Sequence, residues 1–155
     1  MIKGAIISDC GKYRFQLWRI WDETKPCVLW IMHNPSTADA VEDDRTIGRC
    51  IEFSKSWGYG GIYVGNLSPY RATKPKEMKG LSKELLIPEQ NEWSIMDMYE
   101  KCTLFIVAYG NPVNKWMIPV PLAKHWQALK LTKAGNPGHP LYVKGDTKPF
   151  FISKN

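Results

Sequence analysis

The sequence predicts one three-layer α/β domain, residues 1–155, built around a mainly parallel central sheet. Three observations carry that prediction. Three short apolar runs, centred on Val28–Met32, Ile62–Asn66 and Leu104–Ala108, have the unbroken hydrophobicity of strands covered on both faces. Segments with helical spacing separate them. Each run then stops abruptly in polar residues, as strands do when their carboxyl ends open onto a ligand cleft.

Tyr13 to Trp21 is aromatic-rich and partly alternating, which predicts a strand, and Asp22-Glu-Thr-Lys-Pro26 turns the chain after it. Val28 to Met32 is the first central strand. From Asp44 to Trp57, Ile47, Cys50, Ile51, Phe53 and Trp57 recur at helical spacing; Asp43 or Asp44 serves as the N-cap and Gly58 stands where the helix should stop. Gly60 to Asn66 forms the second central strand. Residues 67–88, rich in Pro and Lys, make a connection too long for a passive turn, hence a candidate binding loop. Glu89 to Lys101 reads as a helix and Thr103 to Ala108 as the third central strand. Pro121 to Leu131 reads as a last amphipathic helix, followed by a Gly/Pro loop that runs into a short strand ending at Val143.

With 155 residues, 44% of them hydrophobic, and seven Trp, seven Tyr and five Phe, the chain can bury a core of its own. No apolar run reaches the roughly 20 residues of a membrane span, and Met1 to Ser8 lacks a signal-peptide core. Cys10, Cys27, Cys50 and Cys102 stand far apart with no zinc spacing, which fits reduced thiols in a cytoplasmic protein with no structural metal. The formal charge of +6 favours an anionic partner, and DNA or a nucleotide is the commonest kind.

Several chemistries lack their motifs. There is no GxGxxG, no GxxxxGK[ST], no GxSxG, no HExxH and no HxE with PCxxC. No cofactor is therefore expected. Amides, carboxylates, hydroxyls and a histidine remain, a set suited to recognising a flat heterocycle or to hydrolysis by an activated water.

These groups gather at the strand ends: His33-Asn34-Pro35-Ser36, Asn66-Leu67-Ser68, Gly110-Asn111 and the His139-Pro140 loop. Asn34 can position a water while being too weak a base to deprotonate it. Asp39, Asp43 and Asp44 are candidate bases, although Asp43 and Asp44 suit helix capping equally well. Arg45 and Arg71 can hold a phosphate, and Lys74, Lys76, Lys79 and Lys83 form the densest basic cluster. His139, fixed between Gly138 and Pro140, is the most site-like of three histidines; His125 reads as an ordinary helix-surface residue.

The whole chain resembles the family of domain of unknown function 1643. The matching stretches are Asn34-Pro-Ser-Thr-Ala-Asp39, Asp44-Arg-Thr-Ile47, Trp57-Gly-Tyr59, Asn66-Leu67 with Arg71-Ala-Thr73, and Gly138-His-Pro-Leu-Tyr142. More distantly, the order of motifs resembles the uracil-DNA glycosylase superfamily, a single α/β domain that flips a base out of DNA. Met32-His-Asn-Pro-Ser36 is similar to its first motif, Tyr63-Val-Gly-Asn66 to its base-reading strand end, and His139-Pro140-Leu141 to its second motif and minor-groove loop.

That resemblance implies that Asn34, with Asp39 or Asp44, holds the attacking water, and that His139 donates to the departing base. It further implies that Asn66 reads the base edge and that Pro35, Ser36, Thr46, Arg71 and Asn111 line the substrate site. Arg45, Lys74, Lys76 and Pro140 would meet DNA. Ser36 stands where the superfamily favours glycine, Leu141 where it favours serine, and the stacking aromatic has only Thr46 as its nearest counterpart. The resulting expectation is a DNA-glycosylase-like protein that hydrolyses the N-glycosidic bond of a flipped, modified base. The alternatives are a nucleotide or N-glycoside hydrolase and a non-catalytic nucleic-acid-binding protein.

Overall fold

A computed structural model describes residues 1–117 and 125–152. Seven strands form one sheet: β1 (Ile2–Ile7), β2 (Arg14–Ile20), β3 (Cys27–Met32), β4 (Gly61–Asn66), β5 (Leu104–Val107), β6 (Trp126–Ala128) and β7 (Phe150–Phe151), in the order β1-β2-β4-β3-β5-β6-β7. The three apolar runs are the neighbouring strands β4, β3 and β5, mutually parallel. β6 extends the parallel set, whereas β1, β2 and β7 pair antiparallel. The sheet is therefore mixed, and the expectation of a mainly parallel one is corrected at both edges. Strand β1 escapes sequence reading because Ile2 and Ile6 are exposed on an edge strand.

Two cores lie on opposite sheet faces. Helix α1 (Arg45–Ser56) buries Ile47, Cys50, Ile51 and Phe53 against Val28, Trp30, Ile62 and Val64. Trp30, Phe53 and Trp57 stack at the base of this layer with ring centroids 5.6–6.3 Å apart. Asp44 is the N-cap, its Oδ1 accepting the Ile47 N–H at 2.9 Å, and Gly58 takes the left-handed φ of +88° that ends the helix. On the other face, α2 (Lys83–Leu86) and α3 (Gln90–Glu100) cover Leu29, Ile31 and Val107 with Leu86 and Met98. Gly65 lets α3 sit close: a Cβ there would lie 2.7 Å from the Met98 methyl.

The predicted helix from Pro121 to Leu131 is not observed where the chain is described, and residues 118–124 lie outside that range. Trp126–Ala128 is strand β6, because Trp126 and Gln127 pair with Phe105 and Ile106 and Gln127 and Ala128 pair with Phe151 and Phe150. Long-range pairing outweighs the local spacing. His125 is likewise no helix-surface residue: its Nε2 lies 2.7 Å from the Tyr99 hydroxyl, beside Phe105 and Trp126. The expected strand before Val143 is a 3-10 turn, Pro140–Tyr142. No helix among the described residues is long and apolar enough to cross a membrane.

Candidate functional site

The carboxyl ends of β3 and β4 meet in register, Met32 beside Asn66. Above them a cleft of about 160 Å³ opens on the α1 side of the sheet. That volume is below the roughly 300–1,000 Å³ of a drug-sized site, so the cleft suits a single ring system rather than a whole nucleotide. Its walls include Asn34, Ser36, Asp44, Thr46, Asn66 and His139, all sequence-predicted, together with Arg14 and the 72–75 segment.

The loop between β3 and α1 is held by two arginines of β2. Arg19, 0% exposed, donates to Asp43 Oδ1 at 2.7 Å and to the carbonyls of Gly4, Trp18, Asp39 and Glu42. Arg14 donates through Nη1 to the Ala38 carbonyl at 3.1 Å. A register shift between Ile6 and Ile7 places Arg14, not Phe15, opposite Ile7. Phe15 is thus an extra residue in β2, and the bulge turns Arg14 toward the α1 face.

Asn34 is fully engaged. Its Nδ2 donates to the Pro35 and Ala72 carbonyls at 3.0 and 2.8 Å, and its Oδ1 lies 2.7 Å from His33 Nδ1. Because that oxygen only accepts, His33 carries its proton on Nδ1, and its Nε2 accepts the Val113 N–H at 3.2 Å. Burial pulls the His33 pKa down, with the Asn34 contact opposing, which suits this neutral form. Asn34 therefore braces two loops, and it has no N–H left for a ligand.

Asp39 does not reach the cleft. Its Oδ1 accepts the Val41 and Glu42 N–H groups at 2.9 and 2.8 Å, and these bonds hold its carboxyl below the usual range. Asp43 is committed to Arg19 and lies 3.7 Å from Lys3. Asp44 is the one acidic residue of the lining, with Oδ1 used for capping and Oδ2 uncommitted among the described residues.

His139 Nδ1 accepts the Leu141 N–H at 3.2 Å, so the neutral ring has its proton on Nε2. Burial lowers its pKa, with the Asp44 charge opposing. The group it offers the cleft is a neutral N–H donor.

Asn66 is 1% exposed, and its Nδ2 has no partner among the described residues. Its Oδ1 lies 3.4 Å from Arg14 Nη2, and Asn91 Nδ2 holds its backbone carbonyl at 3.1 Å. Arg14, 2% exposed, likewise leaves Nε unmatched. Burial pulls the Arg14 pKa down to about 10, still a cation at neutral pH. Sequence reading assigned Arg14 no role. Its signal was a second charged residue in a strand of buried character, but a bulge hides which face that residue serves.

The remaining predicted residues surround the cleft or lie apart from it. Arg71 donates to the Gly11 carbonyl at 3.3 Å and lines an adjoining groove with Ser36, Thr37 and Thr73. Arg45, Lys74 and Lys76 are exposed beside the lining residues Asp44, Thr46 and Pro75. Pro35 and Pro140 are buried, which corrects the expectation that Pro140 meets DNA. Asn111 accepts from Thr132 and Asn136 at 2.8 and 2.9 Å and is absent from the lining.

The family model described as "Protein of unknown function (DUF1643)" matches residues 14–141. The chain belongs to that family. No curated protein and no solved structure matches it.

Proposed function

We propose that this member of the DUF1643 family recognises a single nucleobase, extruded from DNA, and hydrolyses its N-glycosidic bond. One observation carries the reading: Asn66 presents an unmatched, fully buried NH₂ group in a cleft sized for one ring. An orphaned donor in a native interior is expensive and is retained where a ligand completes it. A carbonyl on a base edge is the acceptor that an amide in such a cleft reads.

In this mechanism a water attacks C1′ of the sugar as the C1′–N bond breaks, and the bonding electron pair leaves with the base. Asp44 Oδ2 orients the water and takes its proton. The neutral His139 Nε2–H donates to the oxygen on which negative charge gathers, an interaction that strengthens only as the bond breaks. Arg14 and Asn66 hold the base edge. Exposed Arg45, Lys74 and Lys76 at the rim favour a polynucleotide over a free nucleoside, because they would meet its phosphates. The sequence order of strand, Asn-Pro loop, Asn-terminated strand and His-Pro turn supports kinship with the uracil-DNA glycosylase superfamily.

The engagement of Asn34 by backbone favours a second reading, a base-binding protein without turnover, since water positioning then falls to Asp44 alone. Incubation with oligonucleotides carrying a panel of modified bases, with mass spectrometry of released base, separates the two. Release that disappears in Asp44→Asn supports hydrolysis. Binding without release from any substrate supports the second reading.

A further inference from the structure

We infer that Arg14 makes this cleft a donor-only reader, selecting oxo-heterocycles and rejecting their amino counterparts. The inference rests on the reading of the cleft as a base site and names the class of base that it takes.

Orientation is the first step. A guanidinium can only donate, so the Asn66 carboxamide must turn its oxygen toward Arg14 Nη2, 3.4 Å away. The reversed amide would set NH₂ against a cation. Asn66 therefore cannot flip to offer the cleft an acceptor, and its NH₂ group faces the ligand with both hydrogens free. Arg14 adds the unmatched Nε, and His139 adds Nε2–H because Leu141 fixes its tautomer.

Charge is the second step. Two buried arginines leave β2, and only one finds a carboxylate: Arg19 meets Asp43 at 2.7 Å, whereas Arg14 has none within ion-pair distance among the described residues. Asp44, Arg71 and Arg19 are the charged groups whose fields reach it. A buried cation without a partner is stabilised by a ligand carrying negative charge or strong acceptors. An oxo-purine or oxo-pyrimidine edge, with a carbonyl beside a ring nitrogen that can ionise, supplies both. An amino group at the same position would set N–H against N–H, a clash that no water-sized gap relieves.

The hydroxyls of Ser36, Thr46 and Thr73 can serve either kind of ring and do not discriminate. Asp44 is the sole acidic residue of the lining, and its Oδ1 is occupied by the Ile47 N–H. Discrimination therefore falls on the Arg14–Asn66 pair.

The test is isothermal titration of the full chain with two matched pairs of free bases, uracil against cytosine and hypoxanthine against adenine. Each pair differs at one exocyclic position between carbonyl and amino. The wild type is expected to bind the oxo member roughly tenfold or more tightly in at least one pair. Arg14→Gln should bring that ratio to within about threefold, while Arg14→Lys, which keeps the charge but loses the fork, should fall between. The wild-type ratio decides the matter even where a variant fails to fold. Equal affinities for oxo and amino members, both abolished by Asn66→Ala, would overturn the donor-only cleft and leave the base site standing. Absence of binding by all four bases would overturn the base site and this inference together.

Discussion

Arg14 and Arg19 leave the same strand five positions apart and are both buried, but only Arg19 meets a carboxylate, Asp43 at 2.7 Å. A regular strand would send these two side chains to opposite faces. The extra residue at Phe15 brings Arg14 back to the side of α1 and into the cleft wall.

The two arginines should therefore respond differently to removal. Arg19→Met should cost about 3 kcal/mol or more of folding stability, because four carbonyls and Asp43 lose their donor. Arg14→Met should cost less than about 1.5 kcal/mol, since it removes a poorly matched buried charge along with two hydrogen bonds. Urea unfolding of both variants beside the parent checks this, and a larger loss for Arg14 would show that its role is structural.

Asn34 illustrates how residue type can be legible while role is not. Its place after a buried strand was visible, but the carbonyls that engage it come from Pro35 and from Ala72, 38 residues away. Asn34→Ala should destabilise the protein by about 1–3 kcal/mol, because the backbone carbonyls and His33 Nδ1 lose partners. Any fall in turnover should track loss of folded protein. A variant of parental stability with a large specific loss of rate would return Asn34 to the chemistry.

Stability should fall as pH drops below about 6.5. Burial holds both His33 and His139 below the ordinary histidine value of 6.5, so the unfolded chain binds protons that the folded one refuses. Above about 7.5 both states are neutral and this contribution is flat. Unfolding free energies across pH 5–8 for the parent and for His33→Asn should show the dependence weakened in the variant. Stability that rises on acidification would contradict the neutral tautomers assigned here.

On the DNA reading, affinity for single-stranded or extruded-base substrates should fall steeply with salt, and Lys74→Ala with Lys76→Ala should make the slope shallower by about one to two phosphates. Titrations at several salt concentrations measure it. An unchanged slope would move the exposed lysines out of the interface.

The central strands were legible because continuous apolar runs have few alternative placements. The polar strand ends were legible for the same reason, since Met32 and Asn66 finish those runs side by side. What the sequence withheld depends on distant partners. Strand β6 exists through pairing with Phe105 and Phe151, and Asp39 serves its own loop through the Val41 and Glu42 amides. Arg14 became visible only through a bulge, which period-two alternation does not encode.

The central claim is that the Asn66 NH₂ group is the donor awaiting a base. The most direct measurement is the pair of side-chain amide resonances of Asn66, followed by ¹H–¹⁵N NMR during titration with uracil and hypoxanthine. The account predicts a saturable downfield shift of those two protons, accompanied by a shift at the Arg14 Nε–H. Asn66 resonances that stay fixed while the protein binds either base would contradict it.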